Sequence, residues 1–135
     1  MTIIDTNHDC TSKLTRLKNA GVTMIIRYLN RRKPSGEKVI KPAEAKAFAK
    51  AGMRLGLVYE YNADINTLTE ENGYLDAKWS LQWAPTIGMP HLLTTKDAGP
   101  AVYFAVDLDP TKRQVERNVV PYFKGIARAR GGTMV

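Results

Sequence analysis

The stretch Ala101-Val-Tyr-Phe-Ala-Val-Asp-Leu-Asp109 stays apolar long enough for a buried strand and then ends in two carboxylates. A parallel strand covered on both faces reads as a continuous apolar run. In α/β proteins the reacting groups stand at the carboxyl ends of such strands. Asp107 and Asp109 are therefore the leading candidates for acid–base or charge-stabilising chemistry. Side chains alternate along a strand, so Tyr103, Ala105 and Asp107 share one face and Phe104, Val106 and Leu108 the other. Each acid also has a structural alternative: Asp109 stands where an N-cap would precede Pro110 at a first helical position.

The elements that must position these acids alternate along the chain. Thr2-Ile-Ile-Asp5, Met24-Ile-Ile-Arg-Tyr28 and Leu55-Gly-Leu-Val-Tyr-Glu60 predict three further strands. Helix signals lie between them. One helix opens at Thr11 or Ser12, carries Leu14 and Leu17, and stops at Gly21; a second opens at Pro42, turns Ala45, Phe48 and Ala49 inward and stops at Gly52. A third spans Leu75 to Ile87. The fourth follows Asp109 or Thr111, where Thr111 and Gln114 make a capping-box pattern, and Pro121 is expected to kink or divide it. The segments Asn62 to Asn72 and Gly88 to Pro100 read as loops.

Leu17-Lys-Asn-Ala-Gly21 leads into Met24-Ile-Ile-Arg-Tyr28 much as Phe48-Ala-Lys-Ala-Gly52 leads into Leu55-Gly-Leu-Val-Tyr59. This faint repeat predicts successive β/α units in a parallel sheet. A flavodoxin-like open sheet satisfies the pattern, and so does half of a (β/α)₈ barrel. Aligning the two units puts Arg27 and Ile25 where Val58 and Gly56 stand. On that parity Asp5, Arg27, Glu60 and Asp107 are strand-end residues facing one axis. Such a cluster is costly unless paired or solvated, a cost that functional sites tolerate. The structural alternative is an ion-pair network of Arg27 with Asp5 or Glu60.

Composition narrows the function classes. The 135 residues, 44% hydrophobic and 24% charged, bound one soluble domain over residues 1–135 with a real core. No run is long enough for a membrane span and no signal peptide is evident, so the chain reads as cytoplasmic as encoded. The single cysteine, Cys10, excludes an internal disulfide. No Gly-rich phosphate fingerprint follows the first strand, so no nucleotide cofactor is expected. A net charge of +7, from 20 Lys and Arg against 13 Asp and Glu, favours polyanions in general. The densest cluster, Arg31-Arg32-Lys33, has no interleaved aromatics to stack bases, and nucleic acid is not expected as a partner.

Taken together, Asp5-Thr-Asn-His-Asp9, Ile26-Arg-Tyr28, Gly56-Leu-Val-Tyr-Glu60 and Val102-Tyr-Phe-Ala-Val-Asp107 resemble a bacterial and phage glycoside-hydrolase-like domain of unknown function, a relative of the family 25 lysozymes (muramidases). Each motif falls in order on a successive strand end. The resemblance implies a (β/α) barrel of the glycosidase type with acids at its mouth, acting on or binding bacterial cell-wall glycan of the peptidoglycan type, inside the cell as encoded or extracellular or phage-associated in function. In the lysozyme relatives the fourth strand ends in Asp-x-Glu with the glutamate as catalytic acid; here Asp107-Leu-Asp109 departs from it, a shorter acid standing in the glutamate's place. Asp5 and Glu60 match the acids of the first and third strands. A complete barrel of this kind takes about 200 residues or more. The chain therefore reads as roughly the first four β/α units, a half barrel truncated on its C-terminal side, with a fifth strand starting near Thr133. Self-association through open sheet edges is an expected consequence.

Glycoside hydrolysis needs one carboxylic acid to protonate the leaving oxygen and a second carboxylate to attack, stabilise the sugar cation or activate water. Asp109 or Glu60 is the candidate acid, and Asp107 or Asp5 its charged partner. Arg27, Tyr28, Tyr59 and Tyr61 are the candidate substrate contacts. The competing reading is an inactive sugar or cell-wall binder, or an incomplete fragment with neither activity. A third reading has Asp5, Asp107 and Asp109 hold Mg²⁺, although no metal site is the expectation. His8-Asp9 reads as loop, Trp79 and Trp83 at helical spacing as core, and His91 has no assigned role.

Overall fold

The computed structural model describes residues 2–88 and 102–131. Four strands, β1 (Thr2–Asp5), β2 (Val22–Leu29), β3 (Arg54–Tyr59) and β4 (Val102–Phe104), form one sheet in the order β1-β2-β3-β4, every neighbouring pair parallel. This sequential order has no strand reversal, which sets it apart from the flavodoxin-like arrangement. The expected fourth strand is shorter than its apolar run. Pairing continues only through the Ala105 amide, which donates to the Tyr59 carbonyl at 3.0 Å.

The connections are helical: α1 (Leu14–Asn19), α2 (Pro42–Ala51), α3 (Glu70–Trp83), and after β4 a helix built from α4 (Lys112–Gln114), a π-helical turn (Val115–Val119) and α5 (Val120–Ala129). Pro42 opens α2 and Gly52, at φ 65°, closes it with the left-handed turn that glycine adopts freely. Phe48 and Ala45 are buried as expected; Ala49 is exposed, and Glu44 takes the inward position instead. Thr111 and Gln114 form the capping box. Pro121 lacks the N–H that the Arg117 carbonyl would accept, and the chain widens into the π-helical turn just before it. The expected loop from Asn62 to Asn72 contains a 3₁₀ turn (Ile65–Thr67) and the start of α3. From Met89 on, the expected loop to Pro100, with His91, lies outside the described residues, as does the predicted fifth strand.

All the helices among the described residues cover one face of the sheet. Ile4, Ile25, Leu29, Leu57, Tyr59 and Phe104, which share one parity, pack into the three apolar clusters formed with the helices. The opposite parity faces outward: Ile3 is 46% and Tyr103 60% exposed, while Met24, Ile26, Tyr28 and Val58 are partly exposed. Trp79 and Trp83 stack on each other, ring centroids 5.4 Å apart, against the helix-side core.

Helices α3 and α5 approach so closely that their glycines are required. A Cβ on Gly73 would stand 1.9 Å from the Tyr122 carbonyl oxygen, and one on Gly125 1.9 Å from that of Glu70. Backbone cannot yield as a flexible side chain does. Gly125→Ala should therefore destabilise the fold by about 3 kcal/mol or more, read as a lowered urea midpoint; an unchanged midpoint would refute the close approach.

Candidate functional site

The carboxyl ends of the strands bring together part of the expected set. β1 ends in Asp5, Glu60 directly follows β3, and Asp107 lies just beyond β4. Tyr28, near the end of β2, stands among them. Its hydroxyl donates to the Asp5 carboxylate at 3.0 Å. Burial pushes the Tyr28 phenol up to about 12, helped by that hydrogen bond and by the negative charges of Asp5, Glu60 and Asp107. The same electrostatic neighbourhood thus holds three acids from three different strands.

Lys38 joins them from the β2–α2 connection. There Val39 bridges to Tyr28, and the Ile40 amide donates to the Tyr28 carbonyl at 3.0 Å, laying the segment alongside the strand end. The Lys38 ammonium donates to Glu60 Oε1 at 2.7 Å and lies 5.1 Å from the centre of the Tyr28 ring, within cation–π range. Lys38 is not among the residues singled out from the sequence. No neighbouring residue marks it; only the parallel bridge to β2 brings it in.

Arg27 does not face this cluster. The ladder pairs Tyr28 with Val58 and Arg27 with Leu57, one residue out of step with the repeat alignment, and a one-residue slip reverses every side chain. Arg27 is fully buried on the helix side, where Nε and Nη2 donate to the Glu44 carboxylate at 2.7 and 3.1 Å. Its partner is thus neither Asp5 nor Glu60. Its Nη1 donates to the carbonyls of Thr6 at 2.7 Å and Lys38 at 3.0 Å. Arg27 therefore fixes, from behind, the backbone next to Asp5 and that of Lys38. An open groove lined by His8, Asp9, Lys13, Glu37 and Lys41 reaches this pair, behind the sheet and apart from Tyr28.

Tyr59 is also on the helix side. It is 1% exposed, and its hydroxyl donates to Asp76 of α3 at 2.7 Å, so it is no sugar platform. Asp76 also accepts from Arg31 at 2.9 Å and from Tyr122 at 3.2 Å. Burial above all, with the Asp76 charge beside them, pushes both phenols upward. Tyr61 is partly exposed, but the Arg32 guanidinium covers its ring at 4.1 Å. Asp109 is exposed, and Thr111 rather than Asp109 caps the next helix. Val106 and Leu108 turn into the α3–α5 cluster while Asp107 and Asp109 face solvent. Tyr103 was not singled out from the sequence, although its parity with Asp107 was visible: it pairs with Val58, which pairs with Tyr28, so the three form one row on the open face. Among the described residues no three His, Cys, Asp or Glu side chains converge as a metal site would need.

Residues 15–133 match the profile of the Rv2525c-like, glycoside hydrolase-like domain. The chain belongs to that family. The uncharacterized protein FadG of Bacillus subtilis (strain 168) is 30% identical over 118 residues, covering 86% of this chain and 19% of FadG. This domain therefore spans about a fifth of that relative. The fold is similar to that of the Mycobacterium tuberculosis Tat-secreted protein Rv2525c in two crystal structures. In the complex with HEPES the TM-score is 0.68 at 21% identity, over 87% of this chain and 58% of that one; in the complex with L-tartrate it is 0.69 at 22%, over 87% and 57%.

Two measurements test the site. Glu44→Ala strands the buried Arg27 charge and should cost about 3–5 kcal/mol in chemical denaturation, whereas Arg27→Met with Glu44→Leu should recover most of it. Tyr28 is neutral when protonated and its folded value lies above the ordinary 10.0. The stabilisation it gains is thus complete below pH 10 and is lost as pH rises toward about 12. Asp5→Asn should lower the Tyr28 titration, followed by NMR of ring-labelled tyrosine; an unmoved titration would break the Asp5–Tyr28 link.

Proposed function

We propose that this domain is the first half of a glycosidase-type (β/α) barrel whose mouth binds bacterial cell-wall glycan, with acid–base chemistry carried by strand-end carboxylates. The observation that carries the reading is the placement of Asp5, Glu60 and Asp107 at the carboxyl ends of a sequentially ordered parallel sheet, with Tyr28 bonded to Asp5 and Lys38 to Glu60, in a chain of the glycoside hydrolase-like family. Ends of this kind are where barrel enzymes keep their chemistry. Glu60, ion-paired to Lys38, fits the charged partner that stabilises the sugar cation or activates water. Asp107, open to solvent, is then the proton donor, with Asp109 the second candidate and Asp5 an orienting acid held by Tyr28. Tyr28 and Tyr103 offer ring surface to the sugar on the open face. No helix among the described residues is long and apolar enough to cross a membrane. The Tat-secreted character of Rv2525c supports action outside the cytoplasm.

A second reading, a glycan-binding domain without turnover, is favoured by Asp109, a shorter acid that stands where the lysozyme relatives carry the catalytic glutamate and is exposed to solvent. Purified bacterial cell-wall glycan separates the two. An enzyme should release reducing ends, and Glu60→Gln or Asp107→Asn should lower turnover by about 10²-fold or more with an unchanged circular dichroism spectrum. A binding domain should sediment with the glycan and release nothing at any pH. Neither turnover nor binding would end both readings.

A further inference from the structure

The positive charge of the chain is concentrated in one element. Residues 112–130, the helix after β4 and its C-cap, carry six cations, Lys112, Arg113, Arg117, Lys124, Arg128 and Arg130, against one acid, Glu116, and so hold +5 of the net +7. The fold gathers the cations on one side. Tyr122, Gly125 and Ile126 turn inward against α3, while Arg113, Arg117, Val120, Lys124 and Arg128 follow one another at helical spacing on the exposed side. The stripe starts just beyond Asp109 and runs for about 25 Å at the helical rise. Two of its cations are engaged: Lys112 lies 3.9 Å from Glu116, and Arg128 bonds Glu70 and Glu71 of α3 at 2.7 and 3.3 Å. The side chains of Arg113, Arg117 and Lys124 have no ion-pair or hydrogen-bond partner among the described residues.

We propose that this helix face binds a linear polymer with a phosphate in each repeat and no bases. Charge selects the class: unpaired cations in file attract a chain whose negative charges recur, and the planar guanidinium forks of Arg113 and Arg117 suit phosphate oxygens. The remaining residues of the face argue against other polyanions. Single-stranded nucleic acid is held by stacking on aromatic rings, and Tyr122 and Phe123, the two aromatics of this helix, pack into the α3–α5 cluster. A helix that lies on a membrane sinks a broad apolar face into the lipid, whereas Val120, 38% exposed, is the one apolar residue of this stripe. Nor does such a face suit burial under another part of a protein that brings no acids, because an unpaired buried cation is costly. The stripe lies outside the candidate mouth, and its binding holds whether or not the mouth takes a glycan.

Fluorescence anisotropy with end-labelled poly(glycerol phosphate) should show binding that weakens steeply between about 50 and 200 mM salt. Arg113→Gln, Arg117→Gln and Lys124→Gln together should weaken it by about tenfold or more and make log K against log salt shallower by about 2, roughly 0.7 for each lost phosphate contact. A second triple variant, Lys33→Gln, Lys46→Gln and Lys50→Gln, removes the same charge at exposed positions off this helix. Its affinity should change by less than about twofold, since distant charges are screened. Should the stripe variant unfold, NMR of the unsubstituted chain still decides, because amide shifts on adding the polymer should centre on residues 112–130. No binding at about 50 mM salt, equal losses in the two triple variants, or shifts centred elsewhere would overturn the proposal. So would tighter binding of phosphatidylglycerol vesicles, or of a single-stranded or duplex oligonucleotide with the same number of phosphates. Glycan turnover, or its absence, bears on the mouth alone.

Discussion

One buried guanidinium holds the front of this domain from behind. Arg27 lies among apolar side chains, and its charge is met by a two-point bond to Glu44, the geometry in which a guanidinium and a carboxylate fit best. Its remaining bonds go to the backbone at Thr6 and Lys38. Those carbonyls belong to the segments that present Asp5 and Lys38, and the next residue, Tyr28, turns to the opposite face to bond Asp5. Arg27 and Tyr28 thus divide the work of one strand end: one secures backbone on the helix side, the other arranges acids on the open side. The alternation of a β-strand makes that division unavoidable.

Asp76 does the same for the second half of the sheet. Its carboxylate on α3 gathers Tyr59 from β3, Arg31 from the end of β2 and Tyr122 from α5. Tyr59 immediately precedes Glu60, so a bond made behind the sheet again fixes backbone next to a strand-end acid. The close glycine contact of α3 with α5 brings Tyr122 within reach. Both networks bury charge, which costs solvation; both meet it with several hydrogen bonds each, the condition under which a buried charge is tolerated.

The strands and helix ends were legible because they rest on local chemistry. Apolar runs, Pro42 and Gly52 around α2, and the Thr111–Gln114 capping box each act within a few residues. The acids Asp5, Glu60 and Asp107 were legible because an apolar strand that runs straight into a charge must bring that charge to solvent or to a partner, and so to an edge of the sheet. Register was not. The two tyrosine-ended motifs invited an alignment of Tyr28 with Tyr59, whereas the ladder pairs Tyr28 with Val58, and that single step sent Arg27 and Tyr59 to the helix side. Glu44 left a faint mark, one turn before the buried Phe48 on the same face of α2. Nothing local marks Asp76 as the meeting point of residues 17, 45 and 46 positions away.

The distribution of charge over the two faces accounts for how an acid cluster survives at all. Behind the sheet each buried acid is paired, Glu44 with Arg27 and Asp76 with Arg31. In front, Asp5 and Asp107 stay exposed and Glu60 has Lys38, so water and one lysine limit the repulsion among three carboxylates around one phenol. Solvent is the part of this arrangement that can be removed. Any molecule laid across the row of Tyr28, Val58 and Tyr103 would displace water from the rim and strengthen every electrostatic contact within it. The open face is thereby both the least finished surface of the domain and the place where covering it changes the chemistry most.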